Sequence, residues 1–311
     1  LLIILSICIY FIIFYLREKI SKVLNVFDVP DEKRKIHKSP TPKTASYALA
    51  FVFFILIICN FFYKFFEKDV IIVLFGTLTI FLVGLLDDKY RLSAIAKTIL
   101  LTLTTLILCL LSENLVIKKF YIYSFDFFFV LGDFSTIFTI LCVLCLTNSL
   151  NLADGINGLA TGIVFFWLIY INQIFENNLE LISNIIFINL VLIFVHNMKG
   201  KHFLGDAGSL MLSSFLAYFI IMLYNQNIND PNHQRNAETI LILFLFPIID
   251  MVRLFFERLS NKRKIAVGDN NHFHHYLINK FNISIALIIY FLLINVPIIL
   301  SIYTNINNIL I

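Results

Sequence analysis

Asp87 and Asp88 stand side by side in the segment GLLDDKYRLS. Adjacent carboxylates repel, so water, a cation or a basic partner must compensate them. Such a pair can supply a general base or a magnesium-linked carboxylate, or it can be a solvated helix end. A second segment, NSLNLADGINGLATG at 148–162, carries Asn148, Asn151, Asp154 and Asn157 at intervals of three. On a helix that interval lays side chains roughly along one face. Gly155, Gly158 and Gly162 permit close approach of the backbone to a ligand or to another helix. A third segment, HFLGDAGSL at 202–210, sets Asp206 just before an apolar run. A carboxylate there can cap a helix, or it can be a hard oxygen ligand for Mg²⁺ shared with substrate phosphates.

The fourth segment, GDNNHFHHYL at 268–277, holds His272, His274 and His275, three of only seven histidines. Zinc is the first thought, but no Cys lies on that side and the spacing is not that of a zinc finger. Binding of an oxyanion by imidazoles with nearby Lys and Arg is the better reading, with a wet interfacial cluster as the plain alternative. The fifth, DVPDEKRKIHKSPTP, combines Arg34, Lys35, His37 and Lys38 with three prolines, which favour a defined path.

These segments punctuate a chain of 311 residues that is 59% hydrophobic and 14% charged, with mean hydropathy +0.88. A soluble domain is closer to half apolar and about a quarter charged, so lipid is the simplest solvent for this surface. Apolar runs fall near 1–16, 46–66, 70–86, 94–112, 134–147, 158–175, 183–198, 209–224, 238–256 and 283–303. Continuous runs of this kind favour an all-α polytopic protein of about ten transmembrane helices over a barrel of short alternating strands. The runs read as clean, with polar groups confined to their ends. No linker marks a second domain, so 1–311 reads as one integral membrane domain. The first run precedes a basic stretch and lacks a small-residue cleavage site, which favours a retained helix over a signal peptide.

Nineteen of the 24 Lys and Arg fall in the connectors 17–45, 87–97, 148–158, 196–206 and 253–282. The bias of basic residues makes that side cytoplasmic, and all five polar segments lie on it. Ten helices then place both ends outside. The basic stretches adjoin helix ends and read as topology anchors in contact with membrane lipid, not as nucleic-acid binders. The five cysteines lie in apolar runs; Cys142 and Cys145 have redox spacing but read as packing. Carboxylates, amides, histidines and lysines drawn from several connectors to one membrane face make a site for a metal and phosphates, and a chain with so little soluble structure would work on a lipid phosphate.

In order and spacing the five segments resemble the polyprenyl-phosphate N-acetylhexosamine-1-phosphate transferases, the WecA/MraY-like superfamily of glycosyltransferase 4 type. The HFHH and GDAGS forms are closer to its WecA-like branch, and the resemblance runs from Asp28 to His275. It implies an MraY-like architecture in the bacterial inner membrane, with an active site facing the cytoplasm. It also implies transfer of a HexNAc-1-phosphate, GlcNAc-1-phosphate in first place, from a UDP-sugar to undecaprenyl phosphate. UMP leaves, and a cell-envelope glycan such as an O-antigen is begun. Mg²⁺, with Mn²⁺ as substitute, is the implied cofactor, held by Asn151 and Asp206. Asp87 and Asp88 correspond to the catalytic carboxylates, with Asp87 deprotonating or positioning the lipid phosphate. Asp154 and Asn157 correspond to the nucleotide pocket, Phe203 to the aromatic that stacks on uracil, and Lys97 to a phosphate-contacting lysine. His272, His274 and His275 would bind the diphosphate, and Lys38 and Asn197 complete the substrate contacts. A homodimer is compatible with the apolar surface. Two departures stand out: Ala45-Ser46 where the family has two glycines, and Asn157 where it often has Asp. The first leaves room for an inactive lipid-phosphate-binding homologue and the second bears on the uracil or metal contacts; a transporter would instead need polar groups near the middle of the spans.

Overall fold

The computed structural model describes residues 1–30, 39–175, 180–229, 235–261 and 271–303. The chain folds into helices α1 (Leu2–Leu24), α2 (Tyr47–Tyr63), α3 (Lys68–Tyr90), α4 (Ala94–Leu111), α5 (Ser135–Ala153), α6 (Leu159–Phe175), α7 (Glu180–Met198), α8 (Gly205–Gln226), α9 (Ala237–Ser260), α10 (Phe273–Lys280) and α11 (Ile283–Tyr303). Two antiparallel pairs interrupt them: β1 (Phe27–Asp28) with β2 (Thr41–Pro42), and β3 (Lys119–Ile122) with β4 (Phe127–Val130). Each of the ten apolar runs became one helix, and α10 is the short addition.

Seven helices (α3, α4, α5, α7, α8, α9 and α11) are long and apolar enough to cross a bilayer. The apolar helices α2 and α6 have 17 residues each, slightly below the usual span. α1 is 23 residues long but ends in Arg17, Glu18, Lys19 and Lys22. The protein is a multi-pass membrane protein.

α8 is the axis of the bundle: every residue from Ala207 to Tyr224 is buried. Its serines would be costly there unpaired, and Ser209, Ser213 and Ser214 donate back to carbonyls of the preceding turn. α3 lies against it so closely that a Cβ on Gly84 would sit 2.5 Å from the Ala207 Cα. The outer helices turn Phe51, Phe54, Phe75, Leu103, Leu141 and Ile288 outward, the apolar surface that lipid requires.

Three expectations are corrected. The β3–β4 hairpin was not foreseen. It packs at the far end of α8, where the Tyr121 amide donates to the Tyr224 hydroxyl, and the Tyr123 and Ser124 amides donate to Glu238. The spans are not clean: Asn189, Asp250 and Asn295 are buried within α7, α9 and α11. Asn295 accepts from the Tyr170 hydroxyl and donates to the Phe291 carbonyl, whereas Asn189 donates to the Ile185 carbonyl and its Oδ1 has no partner among the described residues. The interval-of-three pattern is helical only in part, since α5 ends at Ala153 and Asp154 and Asn157 lie beyond it.

Candidate active site

Five chain segments converge at the end of the bundle opposite the β3–β4 hairpin. α3 delivers Asp87 and Asp88 in its last turn. Arg91 breaks α3 in the left-handed conformation, and Ser93 caps α4 by accepting from the Ala96 amide, which sets Lys97 on the first turn of α4. The Lys97 ammonium donates to Asp87 Oδ2 at 2.5 Å and to Asp206 Oδ1 at 3.2 Å. One cation therefore joins carboxylates from α3 and α8. Lys97 is 17% exposed and Asp206 30%, so this face of the cluster opens to solvent.

Asp88 turns the other way. Its side chain is 0% exposed. It accepts from the Asp206 amide at 3.1 Å, the Ala207 amide at 2.9 Å and the Lys43 ammonium at 2.9 Å. The amides at the start of α8 are thus capped by a carboxylate from α3, a favourable place for negative charge. Asp206 does not cap its own helix, and its carboxylate is left to face Lys97. Gly205 makes this possible: its φ is +67°, and a Cβ there would lie 2.6 Å from Asp88 Oδ2.

Lys43 was read from the sequence only as topology charge. Its Nζ also lies 3.9 Å from Asp28. Burial alone would weaken its hold on the proton, but Asp88 outweighs that and the ammonium is held above its ordinary pKa. The segment carrying it is pinned by the Lys43 amide to the Val26 carbonyl, the Phe203 amide to the Pro42 carbonyl, and the Ala45 amide to the Phe203 carbonyl. Those bonds place Phe203 beside the first loop. Ala45 and Ser46 are buried at 1% and 0%, and neither needs a left-handed backbone. α2 starts normally at Tyr47, so the missing glycines do not disturb its entry.

On α5, Asn151 Oδ1 accepts from the Ser209 hydroxyl at 2.6 Å, and Asn148 donates to the Leu144 carbonyl. Asp154 follows at the helix end. The surrounding protein, then Asp206 and Asp88, hold its carboxyl well above the usual carboxylate range. Asn157 lies in the following turn, beside Gly200. Asn197 is buried and both ends of its amide are used, accepting from the Gly158 amide at 2.5 Å and donating to the His202 carbonyl at 3.0 Å. It clamps the glycine turn to the loop that bears Phe203. His202 is also buried, its imidazole bonded to the Tyr10 hydroxyl at 3.1 Å, and burial pushes its pKa down to about 3.

The histidine segment is anchored by Asp250 on α9. Asp250 accepts from Arg253 at 2.8 Å and from the Phe273 amide at 3.2 Å, which caps α10. Arg253 donates to the Asn271 carbonyl and to Glu257. His272 and His274 are buried and stacked 5.3 Å apart, while His275 is half-buried. Burial, then its two histidine neighbours, bring His274 down to about 3, so it is neutral. Its ring covers Gly155, where a Cβ would collide with it. Asp250 and Arg253 escaped the sequence reading because both lie within or at the edge of an apolar run. Lys38, with Arg34, Lys35 and His37, falls outside the described residues.

The donors around Lys97 fit magnesium. Asp87 and Asp206 are hard oxygen donors already drawn to one cation, and magnesium is commonly held by one or two carboxylates plus substrate phosphates. The Asn151 carbonyl oxygen stands beside them on α5, engaged by Ser209.

A membrane bundle that gathers carboxylates, a lysine and histidines at one end defines an enzyme-like site at a bilayer surface. The glycosyl transferase family 4 pattern matches residues 70–224, the stretch from α3 through α8. The chain belongs to this family. It is 28% identical over 267 residues to a probable undecaprenyl-phosphate N-acetylglucosaminyl 1-phosphate transferase of Bacillus subtilis, covering 84% of this chain and 72% of that one. It is 26% identical over 210 residues to the undecaprenyl-phosphate alpha-N-acetylglucosaminyl 1-phosphate transferase of Escherichia coli K12, and 28% over 207 residues to that of Yersinia pestis. Those two matches cover 62% of this chain and 54% of each relative, so the chain spans about half their length.

Proposed function

We propose that this protein transfers N-acetylglucosamine 1-phosphate from UDP-N-acetylglucosamine to undecaprenyl phosphate at the cytoplasmic face of a bacterial inner membrane. The observation that carries the reading is Lys97 held between Asp87 and Asp206, one cation joining carboxylates from two helices at the end of a lipid-embedded bundle. The names of the relatives supply the substrates, and the basic connectors supply the orientation.

In this reading a phosphate oxygen of the lipid attacks the β-phosphorus of the nucleotide sugar, and UMP departs with the electron pair of the broken P–O bond. Asp87 receives or orients the lipid phosphate beside Lys97. Asp87, Asp206 and Asn151 would hold Mg²⁺. The bound ion supplies neutralisation of the diphosphate charge. Lys97 adds a second positive charge at the same place. Phe203 would offer its ring to the uracil, Asp154 and Asn157 would line the nucleotide pocket, and His275, half-buried where His272 and His274 are buried, is the histidine offered to the phosphates. Asp88 and Asn197 act through position, Asp88 by fixing the start of α8 and Asn197 by fixing the Phe203 loop.

The test is release of UMP from UDP-N-acetylglucosamine by the purified chain with undecaprenyl phosphate in detergent micelles. Release that needs Mg²⁺ or Mn²⁺ and stops on chelation is expected. A panel in which no UDP-HexNAc yields UMP would favour the inactive lipid-phosphate-binding homologue.

A further inference from the structure

We propose that Asp250, His272 and His274 form a site for one divalent transition-metal ion of the zinc type, separate from the carboxylate cluster around Lys97. The three side chains are buried, and one potential ligand atom from each lies within 4.8 Å of the others. Asp250 Oδ2 and His272 Nδ1 are 3.5 Å apart. With metal–ligand distances of about 2.0–2.2 Å, two ligands on one tetrahedral ion stand about 3.4 Å apart. That edge of the polyhedron is already present, and small rotations close the rest.

His274 provides the second, independent observation. Both of its ring nitrogens are buried and neither has a hydrogen-bond partner among the described residues. An orphaned buried polar group costs about 1–3 kcal/mol and calls for an ion or an internal water. The ring is neutral, the form that ligates. Because its nitrogens are shut off from solvent, a diphosphate does not reach them without a rearrangement, whereas a single enclosed ion does.

The donor set selects the class of ion. Two imidazoles and a carboxylate suit zinc and its neighbours, while magnesium prefers oxygen alone. Three protein ligands leave a fourth position for water or an anionic oxygen. The outer partners are also in place: Asp250 Oδ1 is held by Arg253, Arg253 by Glu257, and Glu257 in turn by Asn271. Arg253 occupies Oδ1, while Oδ2 accepts from the Phe273 amide at 3.2 Å and is turned to His272. A metal here would pin α10 to α9 and fix the histidine segment over Gly155.

The proposal stands apart from the transferase reading, because its readout is metal content. Full-length, tag-free protein is stripped with a chelator, reloaded with Zn²⁺, desalted and assayed by elemental analysis. One zinc per chain is expected in the native protein and in Asp206→Ala, with at least a tenfold loss in His274→Gln. Zn²⁺ should also raise the melting temperature of the native chain and not that of His274→Gln. Less than a tenth of an equivalent in the native chain, or full retention in His274→Gln, overturns the site. Should His274→Gln fail to fold, Co²⁺ in the native chain decides: intense visible bands of a tetrahedral ion support the site, and their absence overturns it. Absence of UMP release with zinc still bound would count against the transferase reading alone.

Discussion

Lys97 concentrates the charge of the site at the residue scale, since the two carboxylates it touches come from different helices and, among the described residues, neither pairs with another cation. If magnesium binds as proposed, removing Asp206 takes away one of the two carboxylates that would hold it. Asp206→Ala is expected to lower UMP release by at least about a hundredfold, the range seen when one preorganised charge-stabilising group is deleted; near-normal turnover would refute its metal role. Asp88 differs from its neighbour in kind. Leaving Lys43 without its buried partner should cost about 3–5 kcal/mol, so Asp88→Asn is expected to melt well below the native protein. Adding Lys43→Met should recover part of that loss, and a thermal-unfolding double-mutant cycle measures it. Asp154 gives a pH signature. Its folded pKa is raised, so the folded state binds the proton more tightly than the unfolded chain, and stability falls as pH rises from the ordinary carboxylate range through the folded value. Asp154→Asn should flatten that part of the melting-temperature profile of the substrate-free protein; an unchanged slope would contradict the assignment.

At the scale of elements, the start of α8 is built from outside itself. Asp88 caps it from α3, Gly205 makes room for that cap, and Gly84 lets the two backbones meet. Gly84→Val should force α3 from α8 and destabilise by about 1–3 kcal/mol, with activity lost in parallel because Asp87 and Asp206 ride on the separated helices. A variant that melts like the native chain would show that the contact is looser than described. Much of this was legible beforehand. The doublet, the NxxNxxDG run and the GDAGS run each marked a helix end. What the sequence could not disclose was which carboxylate faces which partner: Asp88 and Asp206 are equally plausible caps until the α3–α8 packing assigns one. Asp250 was hidden for a different reason. The unbroken apolar stretch 240–249 precedes it, and its partners other than Arg253 come from a segment about twenty residues later, so no local pattern reveals the pairing.

Across the whole molecule, the helices carry the polar groups to one end and an aromatic hairpin to the other. The alternation of basic connectors anticipated that the site segments would share one end of the bundle. The hairpin was not readable, because residues 119–130 fell in the connector between the runs at 94–112 and 134–147 and no Asn-Gly or Asp-Gly turn marks it. Orientation is testable in cells with a cysteine-free background. Lys118→Cys, beside the hairpin, should react with an impermeant maleimide from outside, and Lys201→Cys, beside Phe203, only after permeabilisation. The reverse pattern would invert the topology.

The most direct test of the central claim follows the phosphorus atom. UDP-N-acetylglucosamine labelled with ³²P in the β-phosphate is incubated with the protein, Mg²⁺ and undecaprenyl phosphate, then extracted with organic solvent. The account predicts that label enters the lipid phase in step with UMP release, and that neither occurs with Asp206→Ala. Label that stays in the aqueous phase while the native protein consumes the nucleotide sugar would contradict it.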